Sequence, residues 1–269
     1  MNILPQLWKA FLIDLDGTLY HGPTMIPGAD DLISLLRSRA IPFLFVTNNS
    51  SRTPAEVAEH LQRMGIPAKP EEVCTSAVAA AEYIAAEMGQ RRVAVIGENG
   101  LLEAVRQAGL TLDDEQPEVV VQGIDRQFTY ETLTRAARWI RGGAGYVLTN
   151  PDLLLPSQDG LMPGAGTLGA AIQAATGVKP VIIGKPEAPL MNYAIARLGL
   201  TAAEVTVIGD NMHTDIAAGV RAGCGTILAL TGVTTADNLP GYIESAGVHP
   251  DVVCHTLEEV AERIKQSSH

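Results

Sequence analysis

Short apolar runs of β type alternate with segments of helix length along this chain, and no other feature restricts its fold as strongly. Apolar residues recur with a period near 3.6 in the longer segments, whereas Val, Ile, Leu and Phe fill the shorter runs. This order is typical of crossover units, in which a helix carries the chain back to begin a neighbouring parallel strand. The sequence therefore predicts an α/β fold built on a parallel sheet.

The predicted elements follow this alternation throughout. The predicted strands are residues 11–14, 42–47, 93–96, 119–122, 146–148, 181–183, 205–208, 226–230 and 251–253. The predicted helices are residues 29–39, 54–64, 76–88, 100–108, 130–141, 166–176, 187–198, 215–222 and 257–265. Because a parallel sheet places the carboxyl ends of its strands at one edge, residues that follow different strands can meet there.

Polar residues that suit phosphate chemistry follow four of the predicted strands. They are Asp14, Asp16, Thr47, Asn48, Asn49, Lys185, Asp210, Asn211 and Asp215. Asp, Asn, Thr and Gly after a strand are common turn formers, so each group alone has a plain structural explanation. The presence of all four groups at one predicted edge favours a functional site instead.

These residue types fit the hydrolysis of a phosphomonoester. An aspartate that attacks phosphorus divides a difficult hydrolysis into two easier displacements. Residues two apart on an extended chain point to the same side. Asp14 can therefore lie in line with phosphorus while Asp16 lies near the leaving group, as an acid first and then as a base for water. Crowding of two carboxylates raises the pKa of one, as an acid at neutral pH requires.

A dianionic substrate also needs cations near the attacking carboxylate. Asp14, Asp16 and Asp210 offer hard oxygens that suit Mg²⁺, and Lys185 offers a point charge for the phosphoryl group. The hydroxyl of Thr47 can hold another phosphoryl oxygen. We therefore predict a magnesium-dependent phosphatase that acts on a small-molecule phosphate ester.

The four groups resemble the four motifs of the haloacid dehalogenase (HAD) superfamily of aspartate-nucleophile phosphatases. The stretches that carry this resemblance are DLDGT at 14–18, TNNS at 47–50, Lys185 and GDNMHTD at 209–215. Further stretches resemble the NagD-like subfamily IIA, in its Gram-positive type associated with acid sugar phosphates: GENG at 97–100, TNPD at 149–152, PGAG at 163–166 and IGKPE at 183–187.

The resemblance implies a Rossmann-like core with an inserted α/β cap of the C2 type, and it implies a role for each site residue. Asp14 is then the nucleophile and Asp16 the acid and base. The implied magnesium ligands are Asp14, the backbone carbonyl of Asp16, and Asp210, supported from behind by Asn211 and Asp215. The implied phosphate-binding residues are Thr47, Asn48, Asn49 and Lys185.

Spacing between the motifs predicts the domain boundaries. The stretch between Asp14 and Thr47 has room for little more than one crossover, whereas the stretch from Thr47 to Lys185 is much longer than the core needs. We predict core segments at 1–86 and 179–269 and a cap at 87–178. Within the cap, the polar stretch 150–166 is either a structural connector or a loop that faces the substrate, and we favour the loop.

Several functions remain open at this stage. Short acidic sugar phosphates are the favoured substrates; nucleoside monophosphates, phosphoglycolate and pyridoxal phosphate are alternatives that the subfamily resemblance allows. A signalling receiver domain, a different class, also combines an acceptor aspartate with Thr and a Lys-Pro pair, which Lys185 and Pro186 reproduce. Asp16 argues against a receiver because it hastens loss of the phosphoryl group. It also argues against a dehalogenase, since a halide needs no proton to leave.

Charge and composition exclude other partners. The 30 acidic and 19 basic residues give a formal charge of −11, so attraction to nucleic acid or to an anionic membrane is not expected. No apolar run approaches the length of about 20 residues that spans a bilayer, and the start of the chain shows no signal-peptide pattern. Three separated cysteines favour a reducing compartment. We expect a cytoplasmic enzyme, and the family resemblance suggests a homodimer formed through the cap.

Overall fold

The structure is a computed structural model that describes residues 8–157 and 160–267. Its internal contacts divide the chain into two compact units. The first unit contains the residues up to Thr47, the segment Ala55–Cys74 and the residues from Lys185 onward. The second unit contains Asn48–Pro54 and Thr75–Gly184, so in sequence it is inserted into the first.

Strands and helices alternate as the sequence predicted. The strands are β1 Ala10–Ile13, β2 Tyr20–His21, β3 Thr24–Met25, β4 Phe43–Thr47, β5 Val73–Thr75, β6 Arg92–Ile96, β7 Thr111–Leu112, β8 Val119–Gln122, β9 Gly145–Leu148, β10 Leu154–Ser157, β11 Gly160–Pro163, β12 Val181–Ile182, β13 Val205–Gly209, β14 Gly225–Ala229 and β15 Val252–Cys254. The α-helices are α1 Ala29–Ser38, α2 Pro54–Arg63, α3 Ser76–Tyr83, α4 Asn99–Gln107, α5 Tyr130–Arg141, α6 Ala165–Thr176, α7 Ala188–Leu198, α8 Ala217–Ala222, α9 Leu239–Ala246 and α10 Leu257–Ser267. Two π-helical turns, Ile84–Met88 and Met212–Ile216, extend α3 and precede α8.

The first unit is built on a sheet with the strand order β15-β14-β13-β1-β4-β5. Strand β1 lies inside it and pairs in parallel with β13 on one side and β4 on the other. All four residues of β1 are buried, as expected for a strand covered on both faces of a parallel sheet. Helices α1 and α10 pack against each other over the apolar core, in which Phe11, Phe45 and Leu36 are fully buried. The strand ends that carry Asp14, Thr47 and Asp210 thus belong to one sheet.

The second unit has its own parallel sheet, with the order β12-β9-β8-β6-β7. Its core includes Ile96, Val120 and Ile140. Strands β10 and β11 form a separate antiparallel hairpin. The polar stretch 150–166 therefore contains regular strands where a loop was favoured; residues 158 and 159 of this stretch lie outside the described residues.

The unit boundaries differ from the predicted ones at three places. Residues 48–54 belong to the second unit although they were predicted in the core. Residues 75–86 belong to the second unit because α3 packs against α4. Residues 179–184 belong there as well because β12 pairs with β9. The α/β fold and the parallel sheets are confirmed. Within the described parts of the chain, every helix is too short or too polar to cross a membrane.

Candidate active site

Strand β1 delivers Asp14 to the carboxyl edge of the first sheet. The backbone N–H of Asp14 continues the sheet by donating to the carbonyl of Ile208 on β13 at 2.9 Å. Its side chain is buried. One carboxylate oxygen accepts a hydrogen bond from the ammonium of Lys185, and the other accepts from the hydroxyl of Thr18 at 3.0 Å. The carboxylate is therefore fixed from two sides.

Lys185 is a buried cation at the centre of the cluster. Its side chain is 4% exposed, and its ammonium also donates to Asp215 at 2.6 Å and to the carbonyl of Val46 at 3.3 Å. Burial disfavours the charged form, but the carboxylates of Asp14 and Asp215 outweigh it and raise the pKa of Lys185. These carboxylates therefore favour the charged form of the ammonium.

Asp210 follows β13 and lies beside Asp14. One of its oxygens accepts from the hydroxyl of Thr18 at 3.1 Å, so Thr18 bridges the two carboxylates. The other accepts from the backbone N–H of Val233 at 2.6 Å. Burial, and then the charge of Asp14, raises the pKa of Asp210 to about 6. The site thus holds this carboxylate firmly while leaving its negative charge poorly compensated.

Asp215 lies on the π-helical turn before α8 and is fully buried. One oxygen accepts from Lys185 at 2.6 Å, and the other accepts from the backbone N–H of Asn211 at 3.1 Å. The side chain of Asn211 caps the same turn by accepting from the N–H of His213 at 2.9 Å. Burial, and then the charge of Asp14, raises the pKa of Asp215 to about 7. Asp215 therefore anchors Lys185 through one oxygen and the turn through the other.

The carboxylates can hold a divalent metal ion. Oxygens of Asp14, Asp210 and Asp215 all lie within 4.8 Å of one another. Three carboxylates against the single ammonium of Lys185 give this group a formal charge of −2, and hard oxygens with excess negative charge suit Mg²⁺. The sequence predicted Asp215 behind the ligands, and this role stays a prediction; Asp215 accepts hydrogen bonds from Lys185 and Asn211. The predicted contribution of the Asp16 carbonyl stays a prediction.

Asp16 lies on the tight loop that follows β1, and its side chain reaches solvent. Partial burial, and then the charge of Asp14, raises the pKa of Asp16, while His21 opposes the rise. Gly17 has a φ of 89°, and a Cβ added there would lie 2.6 Å from an oxygen of Asp210. Only glycine lets the backbone leave the strand this close to Asp210.

The second predicted group divides between the two units. Thr47 ends β4 in the first unit, next to Val46, whose carbonyl accepts from Lys185. Asn48 and Asn49 belong to the second unit.

Both asparagine side chains have partners inside the second unit. The amide of Asn48 donates to the carboxylate of Asp152, at 3.3 and 3.1 Å to its two oxygens. The carbonyl oxygen of Asn49 accepts from the backbone N–H groups of Ser51 and Arg52, at 3.0 and 2.9 Å. The phosphate-binding roles of Thr47, Asn48 and Asn49 stay predictions.

Sequence reasoning missed three contributors to this arrangement. Thr18 was read only as part of a motif, although its buried hydroxyl joins Asp14 to Asp210. Residues 231–234, which follow β14, supply the N–H of Val233 to Asp210. The strand-end rule that found the other groups would have found this stretch, because its threonines also follow a predicted strand. Asp152, the partner of Asn48, also follows a predicted strand and lies in the TNPD stretch, but it was not singled out.

Comparison with known proteins identifies the family. A family model described as haloacid dehalogenase-like hydrolase matches residues 11–111, and another, described as HAD-hydrolase-like, matches residues 182–260. The chain is 44% identical to 5'-nucleotidase YutF of Bacillus subtilis over 239 residues, which are 89% of this chain and 93% of that protein. It is 42% identical to acid sugar phosphatase of Staphylococcus aureus over 260 residues, which are 96% of this chain and 99% of that protein.

Solved structures agree with these matches. A p-nitrophenyl phosphatase from Archaeoglobus fulgidus superposes with a TM-score of 0.90 at 37% identity, covering 96% of this chain and 99% of that one. The chain is an enzyme, a phosphoric monoester hydrolase, which supports the leading sequence interpretation over a signalling receiver. It belongs to the haloacid dehalogenase superfamily, in the NagD-like branch of its phosphatases.

Proposed function

We propose that the chain is a Mg²⁺-dependent phosphomonoesterase that acts through an aspartyl phosphate at Asp14 and prefers short acidic sugar phosphates. One observation carries the catalytic part of this proposal: buried Lys185 is held between Asp14 and Asp215, with Asp210 beside them. A carboxylate that must approach a dianionic phosphoryl group needs positive charge next to it, and Lys185 provides a fixed one.

In the first step, Asp14 attacks phosphorus. A bond forms between a carboxylate oxygen of Asp14 and phosphorus, and the bond from phosphorus to the ester oxygen breaks. Lys185 and Thr18 hold the attacking group in one orientation, so little reorganisation is needed. Asp16 gives its proton to the departing ester oxygen, which leaves as an alcohol. The raised pKa of Asp16 favours the protonated form that this transfer needs.

In the second step, water releases the phosphate. Asp16, now a carboxylate, takes a proton from water while the water oxygen bonds to phosphorus. The bond from phosphorus to Asp14 breaks, and inorganic phosphate leaves. Asp16 is thereby protonated again and the cycle closes without another reactant.

Asp14, Asp210 and the backbone carbonyl of Asp16 are the groups that would hold Mg²⁺. When bound, the ion supplies charge that offsets the build-up on the phosphoryl oxygens. Asp215 keeps Lys185 and the Met212–Ile216 turn in place behind these groups. The excess negative charge of the cluster supports a divalent rather than a monovalent cation.

The substrate proposal draws on the family rather than on the site. A relative that aligns over 96% of this chain is named acid sugar phosphatase, which supports short acidic sugar phosphates. A second candidate class is the nucleoside monophosphates, because a relative with 44% identity is named 5'-nucleotidase. Both classes present a phosphate monoester to the same residues of the first unit.

The test uses the purified full chain with a panel of phosphate esters, with and without Mg²⁺. We expect turnover of p-nitrophenyl phosphate and faster turnover of acidic sugar phosphates, both abolished by EDTA and by Asp14→Asn. Asp31→Asn, which removes an exposed carboxylate on α1, is the matched control and should keep full activity. Activity retained in Asp14→Asn contradicts the mechanism. A higher kcat/KM for nucleoside monophosphates replaces the proposed substrate class with the second one.

A further inference from the structure

We infer that Thr231 is a positioning residue for Asp16: it ties both ends of the loop that carries the proposed acid and base. The inference rests on the proposed function, because it gives Thr231 a role only if Asp16 transfers protons. It adds a residue outside the four motifs to the machinery of the first unit.

The loop after β1 is closed on itself. The N–H of Gly17 donates to the carbonyl of Tyr20 at 2.8 Å, and the carbonyl of Leu15 accepts from the N–H of Leu19 at 2.8 Å. These backbone hydrogen bonds join the two sides of the loop to each other. Wherever the loop is held, the backbone of Asp16 is held with it.

Thr231 holds this loop at two points. Its hydroxyl donates to the carbonyl of Gly17, the residue after Asp16, at 2.9 Å. Its own carbonyl lies 2.6 Å from Nε2 of His21, at the far end of the loop, and accepts a hydrogen bond from that ring. One residue therefore contacts the loop both before and after its turn.

The segment that contains Thr231 is fixed in turn to Asp210. Val233 donates its N–H to the Asp210 carboxylate at 2.6 Å, and Thr234, which is fully buried, donates its N–H to the Asp210 carbonyl at 3.1 Å. Gly232 lies so close that an added Cβ would overlap the Asp210 carboxylate and lie 2.7 Å from the carbonyl of Gly17. Thr231 thus links the Asp16 loop to the rigid surroundings of Asp210.

Asp16 needs such a link because its side chain reaches solvent. Among the residues that the structure describes, the Asp16 carboxyl has no hydrogen-bond partner of its own; its interactions are the charges of Asp14 and His21. Proton transfer to an ester oxygen is sensitive to displacements of about 1 Å, which can cost up to about a hundredfold in rate. Placement of the Asp16 backbone is therefore the means by which the fold places its carboxyl.

The experiment compares Thr231→Val, which removes the hydroxyl at nearly constant volume, with Thr231→Ser, which keeps it. Protonation matters for an alcohol leaving group and little for p-nitrophenol, and kcat/KM reports the step in which the leaving group departs. We expect Thr231→Val to lower kcat/KM about tenfold for glycerol 2-phosphate and about threefold or less for p-nitrophenyl phosphate. Thr231→Ser should restore wild-type values.

A second comparison tests whether the effect passes through Asp16. In an Asp16→Asn background, Thr231→Val should change kcat/KM for glycerol 2-phosphate by less than about twofold, because the group it positions is already gone. Equal losses on both esters, or a full tenfold loss in the Asp16→Asn background, overturn the inference. Absence of phosphatase activity in the wild-type protein is a different result and defeats the proposed function instead.

A variant at the second hydrogen bond, between His21 and the carbonyl of Thr231, controls for misfolding of Thr231→Val. His21 is exposed, so His21→Ala removes the hydrogen bond at the far end of the loop with little risk to the core. We expect the same selective loss on glycerol 2-phosphate as for Thr231→Val when both variants are assayed at saturating Mg²⁺, with the Mg²⁺ affinity of each measured by calorimetry. A loss of Mg²⁺ affinity that accounts for the rate change contradicts a role through Asp16.

Discussion

Lys185→Met should destabilise the first unit far more than loss of an ordinary lysine. The ammonium donates to Asp14, to Asp215 at 2.6 Å and to the carbonyl of Val46 at 3.3 Å, and the side chain is 4% exposed. Methionine fills similar space but leaves these buried acceptors without the cation. Removing one partner of a buried ion pair costs about 3–5 kcal/mol. We expect a loss of this size in the free energy of unfolding of the metal-free protein at pH 8.

The loss should depend on pH in a definite direction. The pKa of Asp215 is raised from 3.8 to about 7 by burial and by Asp14, with Lys185 opposing the rise. The folded protein binds this proton more tightly than the unfolded chain, so stability from this group falls as pH rises between those values and levels off above them. Without Lys185 the pKa rises further. The decline then continues above pH 7, by at most about 1.4 kcal/mol per pH unit.

Urea unfolding in EDTA measures both effects at pH 7 and pH 8.5. The chain has two tryptophans. A Trp139→Phe background leaves Trp8 as the fluorescence reporter. The Trp8 ring packs edge-on against Phe11 in the first unit, with 5.9 Å between the ring centroids.

The matched control is Lys265→Met. Lys265 pairs with Glu262 at 2.6 Å on the surface of α10, where both side chains are about half exposed. An exposed pair of this kind is worth about 0–1 kcal/mol. A loss in Lys185→Met no larger than in this control, or a loss of equal size at pH 7 and pH 8.5, would refute the reasoning.

Three further predictions concern Gly17, the pH dependence of Mg²⁺ binding and the ion pair of Arg37 with Glu72. Gly17→Ala should abolish turnover and lower the free energy of unfolding by more than about 1 kcal/mol, because its Cβ would overlap Asp210. The control is Gly22→Ala, which is also at positive φ but has no described heavy atom within 4 Å of the added Cβ, and it should keep its activity. Kinetics and thermal unfolding measure both variants. Mg²⁺ affinity measured by calorimetry should rise between pH 5 and pH 8. Burial and the charge of Asp14 raise the pKa of Asp210 to about 6, and Asp210 must lose its proton to bind the ion. An affinity independent of pH contradicts this assignment. Arg37→Met should lower the free energy of unfolding by about 1–2 kcal/mol with no change in kcat. It removes two hydrogen bonds from the Arg37 guanidinium to the Glu72 carboxylate, at 2.8 and 2.7 Å, which lie away from the catalytic residues. An unchanged midpoint of urea unfolding contradicts this prediction.

Part of this cluster could be placed from the sequence, because the ends of buried strands are easy to locate. Asp14 and Asp210 each follow a run of apolar residues that forms a buried strand, and these two strands, β1 and β13, pair directly. Lys185 follows the short, partly exposed strand β12 of the other sheet, so strand pairing alone does not place it beside Asp14. Parallel pairing brings Asp14 and Asp210 together without any knowledge of helix packing. The need for cations was predicted from charge, since a carboxylate cluster at a phosphate site needs positive charge beside it.

Backbone donors and exchange of elements between sheets were harder to foresee. The N–H of Val233 donates to Asp210, and almost any residue could supply that N–H, so only the threonines beside Val233 could have indicated this stretch. Periodicity identified residues 76–88 as helical but could not indicate which sheet the helix would cover, and it joined the second unit.

Helix α9 was missing from the predicted helices although its apolar pattern is present in the sequence. Leu239, Tyr242, Ile243 and Ala246 recur at helical spacing and pack on the apolar cluster around Met212. The proline and glycine at its start concealed this pattern, although proline is favoured in the first turn of a helix.

The most direct test of the mechanism is to find the phosphoryl group on Asp14. The Asp16→Asn variant, mixed with p-nitrophenyl phosphate and Mg²⁺, should form the aspartyl phosphate but release it slowly, because the leaving group needs little help and the base for water is gone. Acid quenching, borohydride reduction and peptide mass spectrometry should then reveal homoserine at position 14. Steady phosphate release with no modified residue at position 14, or with the label on another residue, would contradict the account.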